Sequence, residues 1–197
     1  MNILIRKMSR DTLGDFLSFF DETAFADNPE WRHCYCVFFH HAGDAGEWNS
    51  RSGEQNRGLA IELIASGVLS GFLAYDGSVP VGWCNANDKQ SYSFDKNRKE
   101  VYTEEDGDIV SIVCFVISHL YRRRGVSTAL LKDVIDWYAQ SGKRYLEAYP
   151  VKTGRGDSEN YHGPLSLYLK NGFHVEKEHD GYSVVRYRIG EQSRTPR

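Results

Sequence analysis

The chain of 197 residues, 41% hydrophobic and 26% charged, is long enough to bury one sizeable core and has an ordinary globular composition. Its formal net charge of -3 argues against general nucleic-acid binding, and it has no run of about eighteen apolar residues with which to span a membrane. Met1-Asn2-Ile3-Leu4-Ile5-Arg6 is too short an apolar stretch for a signal peptide, so the four cysteines are expected to be reduced thiols in the cytoplasm.

Ile3, Leu4 and Ile5 read as a first strand. Residues 12–20 predict a helix with Leu13, Phe16, Leu17 and Phe20 on one face and Asp11 as its N-cap. The segment Trp31-Arg32-His33-Cys34-Tyr35-Cys36-Val37-Phe38-Phe39-His40-His41 carries two Cys and three His. Cys-x-Cys is tighter than the usual zinc spacing and no second pair follows at finger distance, so an aromatic wall is expected there rather than a metal site. Residues 59–64 predict a second helix ending near Gly67. Residues 71–75 and 81–84 read as strands joined by the hairpin turn Asp76-Gly77-Ser78-Val79-Pro80. Residues 90–108 are polar and predict a loop.

The apolar run 109–117 reads as a buried strand. It leads into Tyr121-Arg122-Arg123-Arg124-Gly125-Val126-Ser127-Thr128, after which Leu130, Leu131, Val134, Ile135 and Tyr138 mark a helix that ends before Gly142. A basic, glycine-bearing turn at a helix N-terminus suits an anion: the first amides are unpaired, the macrodipole is positive there and glycine permits close approach. The turn lacks the patterns of a P-loop and of a dinucleotide site. On spacing alone, an ordinary strand–loop–helix connection with solvated arginines stays open. Residues 182–189 read as a last strand. Residues 1–190 are expected to form one domain, and 191–197 a frayed tail.

Arg122 to Ser127 resembles the Arg/Gln-x-x-Gly-x-Gly/Ala signature of the GNAT N-acetyltransferase superfamily, with Ser127 in place of the last small residue. Leu167-Tyr168-Leu169-Lys170-Asn171-Gly172-Phe173 resembles the later helix of that family, and Arg144-Tyr145-Leu146-Glu147-Ala148-Tyr149 its fifth strand. The three segments occur in the family order. The resemblance implies an α/β (α+β) GNAT fold: a single mixed, mostly antiparallel sheet flanked by helices. It implies acetyl-CoA as cosubstrate, with Val116, Ile117, Arg122, Arg123, Arg124, Gly125, Val126, Ser127 and Thr128 in the cofactor site. The backbone at Val116 and Ile117 is expected to bulge and open to bind the pantetheine arm. His119 reads as a loop residue and no metal is expected.

Acetyl transfer to an amine needs a base for the ammonium proton, a donor for the thioester oxygen and an acid for the leaving thiolate. By resemblance Glu147 is the first candidate base, with Glu104, Glu105 and Asp108 as competitors, and Tyr168 the candidate acid. A solvated or salt-bridged strand glutamate and a core-packed aromatic on an amphipathic helix are the bland readings of the same two residues. The polar stretch 152–160 lengthens the link between them and is read as a flap over the acceptor pocket. Trp31, Tyr35 and Trp83, with Trp48, are expected to wall a site for a small-molecule primary amine. Cys84 and Cys114 read as buried strand residues. A protein N-terminus or lysine as acceptor, and a non-catalytic acyl-CoA-binding or sensing module, are the alternatives. A third is a Cys/His metal or redox protein built on residues 31–41. The resemblance also allows a homodimer, although no segment specifies an interface.

Overall fold

The computed structural model describes residues 2–93, 106–152, 156 and 160–190. Its strands are β1 (Ile3–Lys7), β2 (Gly71–Asp76), β3 (Val79–Asp88), β4 (Ile109–Ile117), β5 (Tyr145–Ala148), β6 (His174–Glu178) and β7 (Ser183–Arg188). They form one sheet in the order β1-β2-β3-β4-β5-β7-β6. Only β4 and β5 run parallel; the other neighbours are antiparallel. This is the mixed, mostly antiparallel sheet expected from the sequence. The α-helices among the described residues are α1 (Leu13–Ser18), α2 (Ala45–Ser50), α3 (Gly53–Ala65), α4 (Val126–Tyr138) and α5 (Leu165–Leu169).

Local chemistry explains where the elements depart from expectation. Asp11 is not an N-cap. The chain enters α1 through a one-turn 3-10 helix that begins after Ser9, whose N–H donates to Thr12 Oγ1 at 2.9 Å. The α1 helix then widens into a π-turn over Phe19–Thr23. The α3 helix starts at Gly53, earlier than predicted, because Ser52 and Gln55 form a capping box with bonds of 3.2 and 2.8 Å. The β6 strand was not predicted: it is exposed along its whole length, so it has no apolar alternation to reveal it. The tail 191–197, Glu104 and Glu105, and most of the 152–160 stretch lie outside the described residues.

The sheet separates two apolar layers. One contains Phe16, Phe19, Phe20, Leu73, Tyr75 and Trp83 with α1, α3 and residues 35–39. The other contains Phe72, Ala74, Ile112, Leu130, Leu131, Val134 and Tyr168 with α4 and α5. Along β4 the alternation breaks once. Asn85 pairs with Cys114 and Ala86 with Ile112, so Val113 is an extra residue, a β-bulge. Val110 and Ile112 face the α4 layer, but Val113 and Cys114 both face the other, and the phase is inverted beyond them. The backbone therefore bulges as expected, but at Val113, upstream of Val116 and Ile117.

The strands β4 and β5 pair only from Ile109 to Ile112. Below their divergence lies a buried charge cluster. Glu147 on β5 is 1% exposed; its Oε1 accepts from Lys89 Nζ at 2.9 Å and from Tyr149 Oη at 2.8 Å, and its Oε2 accepts from Arg186 Nε on β7 at 2.7 Å. The cluster ties the end of β3 to β5 and β7. Removing one member of such a set leaves the others buried without compensation. Glu147→Ala is expected to lower unfolding free energy by about 3–5 kcal/mol in urea titrations; a loss below about 1 kcal/mol would show that the cluster does not hold the sheet.

Candidate functional site

The free edge of β4 beyond Ile112 is where two clefts meet. Both are bordered by Phe115, Ile117 and Arg122. The first, of about 430 Å³, is lined by Phe25, Trp31, Phe38, Phe39, Trp48 and Tyr161, with Glu30, His33 and three cysteines. The second, of about 640 Å³, is lined by Tyr121, Arg123, residues 125–128, Lys132, Asn160, Pro164 and Lys170. Where the strands part, the Phe115 N–H donates to the Tyr161 carbonyl at 2.6 Å, so residues near 161 plug the gap left by β5.

The second cleft is built by the turn into α4. Arg123 (φ 59°) and Gly125 (φ 84°) are both left-handed, which coils the chain tightly before the helix. Gly125 is the N-cap, and no side chain caps this helix. By contrast, α2 and α3 are each closed by a capping box. The first amides of α4 therefore lie against a cleft that also carries Arg123, Lys132 and Lys170, an arrangement suited to an anion. Of the nine expected cofactor residues, seven line this cleft: Ile117, Arg122, Arg123, Gly125, Val126, Ser127 and Thr128. Val116 lines only the first cleft. Arg124 lines neither; its guanidinium sits 6.0 Å from the Tyr121 ring centroid, and Tyr121 donates to Asp76 at 3.2 Å. Arg122 is tied down as well, donating to Asp27 at 3.0 Å and through Nε to the Ile117 carbonyl at 3.1 Å. It staples the turn to β4 and to the N-terminal wall.

In the first cleft Trp31 and Trp48 stand as expected. Trp31 packs edge-on to Tyr161 at 5.5 Å, and Trp48 edge-on to Phe38 at 5.0 Å and near His33 at 6.1 Å. Tyr35 and Trp83 are corrections. Tyr35 is turned inward, stacked on Phe20 and bonded to Asp21 at 2.7 Å. Trp83 is fully buried on β3 against Phe16 at 5.0 Å. Neither lines a cleft.

The two expected catalytic residues are not brought together at the clefts. The Glu147 carboxylate is engaged on both oxygens by two cations and a tyrosine, which suits a structural anchor better than a base. Tyr168 is fully buried, donates to the His162 carbonyl at 2.6 Å, and has its pKa raised well above the usual value by burial. A hydroxyl so placed is poorly poised to protonate a leaving group; it holds the 160–163 segment. Asp108 is exposed at the opposite end of β4 from the clefts. His119 lies in a one-turn helix after β4, exposed, as a connecting residue. Among the described residues no three His, Cys, Asp or Glu side chains are grouped to hold a metal ion, and no helix is long and apolar enough to cross a membrane. Glu30, Tyr161, Lys132 and Lys170 are cleft residues not expected from the sequence, whereas His33 falls in the 31–41 segment expected to form the aromatic wall. Lys132, just after the signature on α4, and Lys170, inside the motif of the later helix, stood close enough to a motif to be found.

The comparisons agree with this geometry. Residues 20–173 match the model of the acetyltransferase (GNAT) family. No curated protein matches the chain in sequence. Among solved structures, a PaiA N-acetyltransferase from Thermoplasma acidophilum in complex with coenzyme A is similar with a TM-score of 0.56 at 16% identity, over 95% of this chain and 99% of that one. A GCN5-related N-acetyltransferase from Kribbella flavida gives 0.57 at 20% identity, over 95% and 98%. YncA of Salmonella typhimurium, solved with its cofactor acetyl-CoA, gives 0.55 at 11% identity, over 97% and 96%. At these identities the likeness to the solved structures is one of fold, while the family match spans most of the chain. The chain therefore belongs to the GNAT acetyltransferase family and is an acyltransferase of that class.

Proposed function

We propose that the protein moves an acetyl group from acetyl-CoA to a primary amine of a small molecule with an apolar body. One observation carries the reading: an anion-binding cleft and an aromatic cleft meet at the unpaired edge of β4. Two solved neighbours are described with coenzyme A or acetyl-CoA, which supports the same cosubstrate here. The acceptor cleft is about 430 Å³ and is walled by the rings of Phe25, Trp31, Phe38, Phe39, Trp48, Phe115 and Tyr161, a size and lining that favour a small amine over a protein chain.

In this reading acetyl-CoA supplies the activated acyl group, and its phosphates rest on the amides of residues 125–128. Arg123, Lys132 and Lys170 add charge. The extended arm adds to β4 as a strand would, taking the Phe115 N–H that Tyr161 now holds. That N–H, or the next one along the edge, then faces the thioester oxygen. Arg122 and Ile117 hold the junction of the two clefts.

The acceptor ammonium must lose a proton before it attacks. His33 is the proposed base, because it lines the aromatic cleft and imidazole is suited to accept a proton near neutral pH. Glu30, on the same wall, draws the cationic amine into the cleft, and the aromatic faces favour it further.

Calorimetric titration with acetyl-CoA tests the cofactor half. The wild type is expected to bind with a dissociation constant near micromolar. Gly125→Val and Arg123→Ala are expected to weaken binding about tenfold or more, and Arg124→Ala to leave it nearly unchanged. Equal losses for Arg123→Ala and Arg124→Ala would refute the orientation of the turn. An amine screen tests the other half. With any accepted amine, His33→Ala is expected to lower kcat about a hundredfold at nearly constant KM for acetyl-CoA. An unchanged kcat would remove His33 from the mechanism.

A further inference from the structure

Three of the four cysteines line the acceptor cleft: Cys34, Cys36 and Cys114. The fold invests in this arrangement. The Val113 bulge turns Cys114 to the cleft face of β4. Tyr35 and Cys36 are left-handed at φ 43° and 53°, a conformation that costs a non-glycine residue and is held here by surrounding bonds. Asn85, fully buried, donates through Nδ2 to both the Cys36 Sγ and the Cys36 carbonyl at 3.3 Å. Its amide is oriented by Tyr92, whose hydroxyl donates to Asn85 Oδ1 at 2.8 Å. Asn85 is also the β3 residue paired with Cys114 across the ladder, so both cysteines flank the same buried amide. The Cys36 sulfur therefore receives a buried donor beside Cys114.

We propose that Cys36 and Cys114 form a hydroperoxide-reactive thiol pair in the acceptor cleft, with Cys36 attacking and Cys114 resolving. The Cys36 thiolate attacks the distal oxygen of a hydroperoxide; the O–O bond breaks, alcohol or water leaves with a proton, and Cys36 becomes a sulfenic acid. The Cys114 sulfur then attacks the Cys36 sulfur, the S–O bond breaks and water leaves, giving a disulfide. The two electrons lost by the pair reduce one hydroperoxide. Titration has the matching polarity. Burial would push the Cys36 thiol up, but neighbouring polar groups, among them the Asn85 amide that donates to its sulfur, outweigh it and hold it below the usual value. The neighbouring Cys36, followed by burial, pushes the Cys114 thiol well up. Cys84, buried away from both clefts, serves as the internal control.

The test treats the reduced full-length protein with dilute hydrogen peroxide, alkylates the remaining thiols under denaturing conditions and maps the peptides by mass spectrometry. A dithiothreitol-reversible Cys36–Cys114 link is expected, with Cys84 still reduced. In Cys114→Ser, dimedone is expected to trap a sulfenic acid at Cys36; in Cys36→Ser, Cys114 is expected to stay reduced. Tyr92→Phe, which removes the hydroxyl that donates to Asn85 Oδ1 and to the Ser111 carbonyl without touching sulfur, is expected to slow the reaction about fivefold. A link between Cys34 and Cys36, oxidation of Cys84 at the same rate, or no reaction by folded wild-type protein would overturn the proposal. Because the readout needs neither acetyl-CoA nor an amine, it stands or falls apart from the acetyl-transfer reading.

Discussion

Everything at the site follows from β4 losing its parallel partner after Ile112. A strand in mid-sheet would satisfy its N–H and C=O groups on both sides. Here the half beyond the bulge is paired only to β3, and its other edge is left to whatever enters the gap. The Tyr161 carbonyl takes the Phe115 N–H, and the two clefts open on either side of that contact. The bulge at Val113 adds a second consequence. By inverting the alternation it brings Cys114 and Val116 to the aromatic cleft and leaves Phe115 packed on the α4 layer. One extra residue thus decides which side chains each cleft receives.

A divergence in the middle of a sheet needs a firm base. The cluster of Glu147, Lys89 and Arg186 lies on the strands just where pairing is still intact. Two cations on one carboxylate, with Tyr149 and Ser111 satisfying further polar atoms and Arg186 reaching on to Glu176, make a buried network that holds the strands together. At the other end the uncapped α4 helix is held by its apolar face, Val126, Leu130, Leu131, Val134 and Tyr138, against the sheet. Its amides stay uncapped because side-chain capping is absent at Gly125, where a serine or aspartate would have consumed them.

Much of this was legible in the sequence, where the signal was local. The run 109–117, the glycine-bearing turn and the helical stripe after it place the anion cleft on residues that do line it, apart from Val116 and Arg124. What alternation in one segment cannot show is which neighbour a side chain meets. Glu147 reads as a candidate base or as a solvated or salt-bridged strand residue, and only the pairing of β5 with β7 and the return of Lys89 reveal which cations sit on it. Tyr35 and Trp83 read as cleft aromatics, but left-handed backbone at Tyr35 and the central position of β3 turn them inward. The Cys/His-rich segment reads as an aromatic wall, with a metal or redox site only as the alternative. The contacts that distinguish its His and Cys residues, His33 with Trp48 and Cys36 with Asn85, are ones that no spacing rule encodes.

The central claim is that the unpaired edge of β4 receives the extended arm of acetyl-CoA between the two clefts. A crystal structure of the complex with acetyl-CoA tests it most directly. The account predicts phosphates on the amides of residues 125–128, the Phe115 N–H released from the Tyr161 carbonyl, and the acetyl group directed toward Trp31 and Trp48. Acetyl-CoA bound elsewhere, or bound with the Phe115–Tyr161 hydrogen bond intact and the acetyl group outside the aromatic cleft, would contradict it.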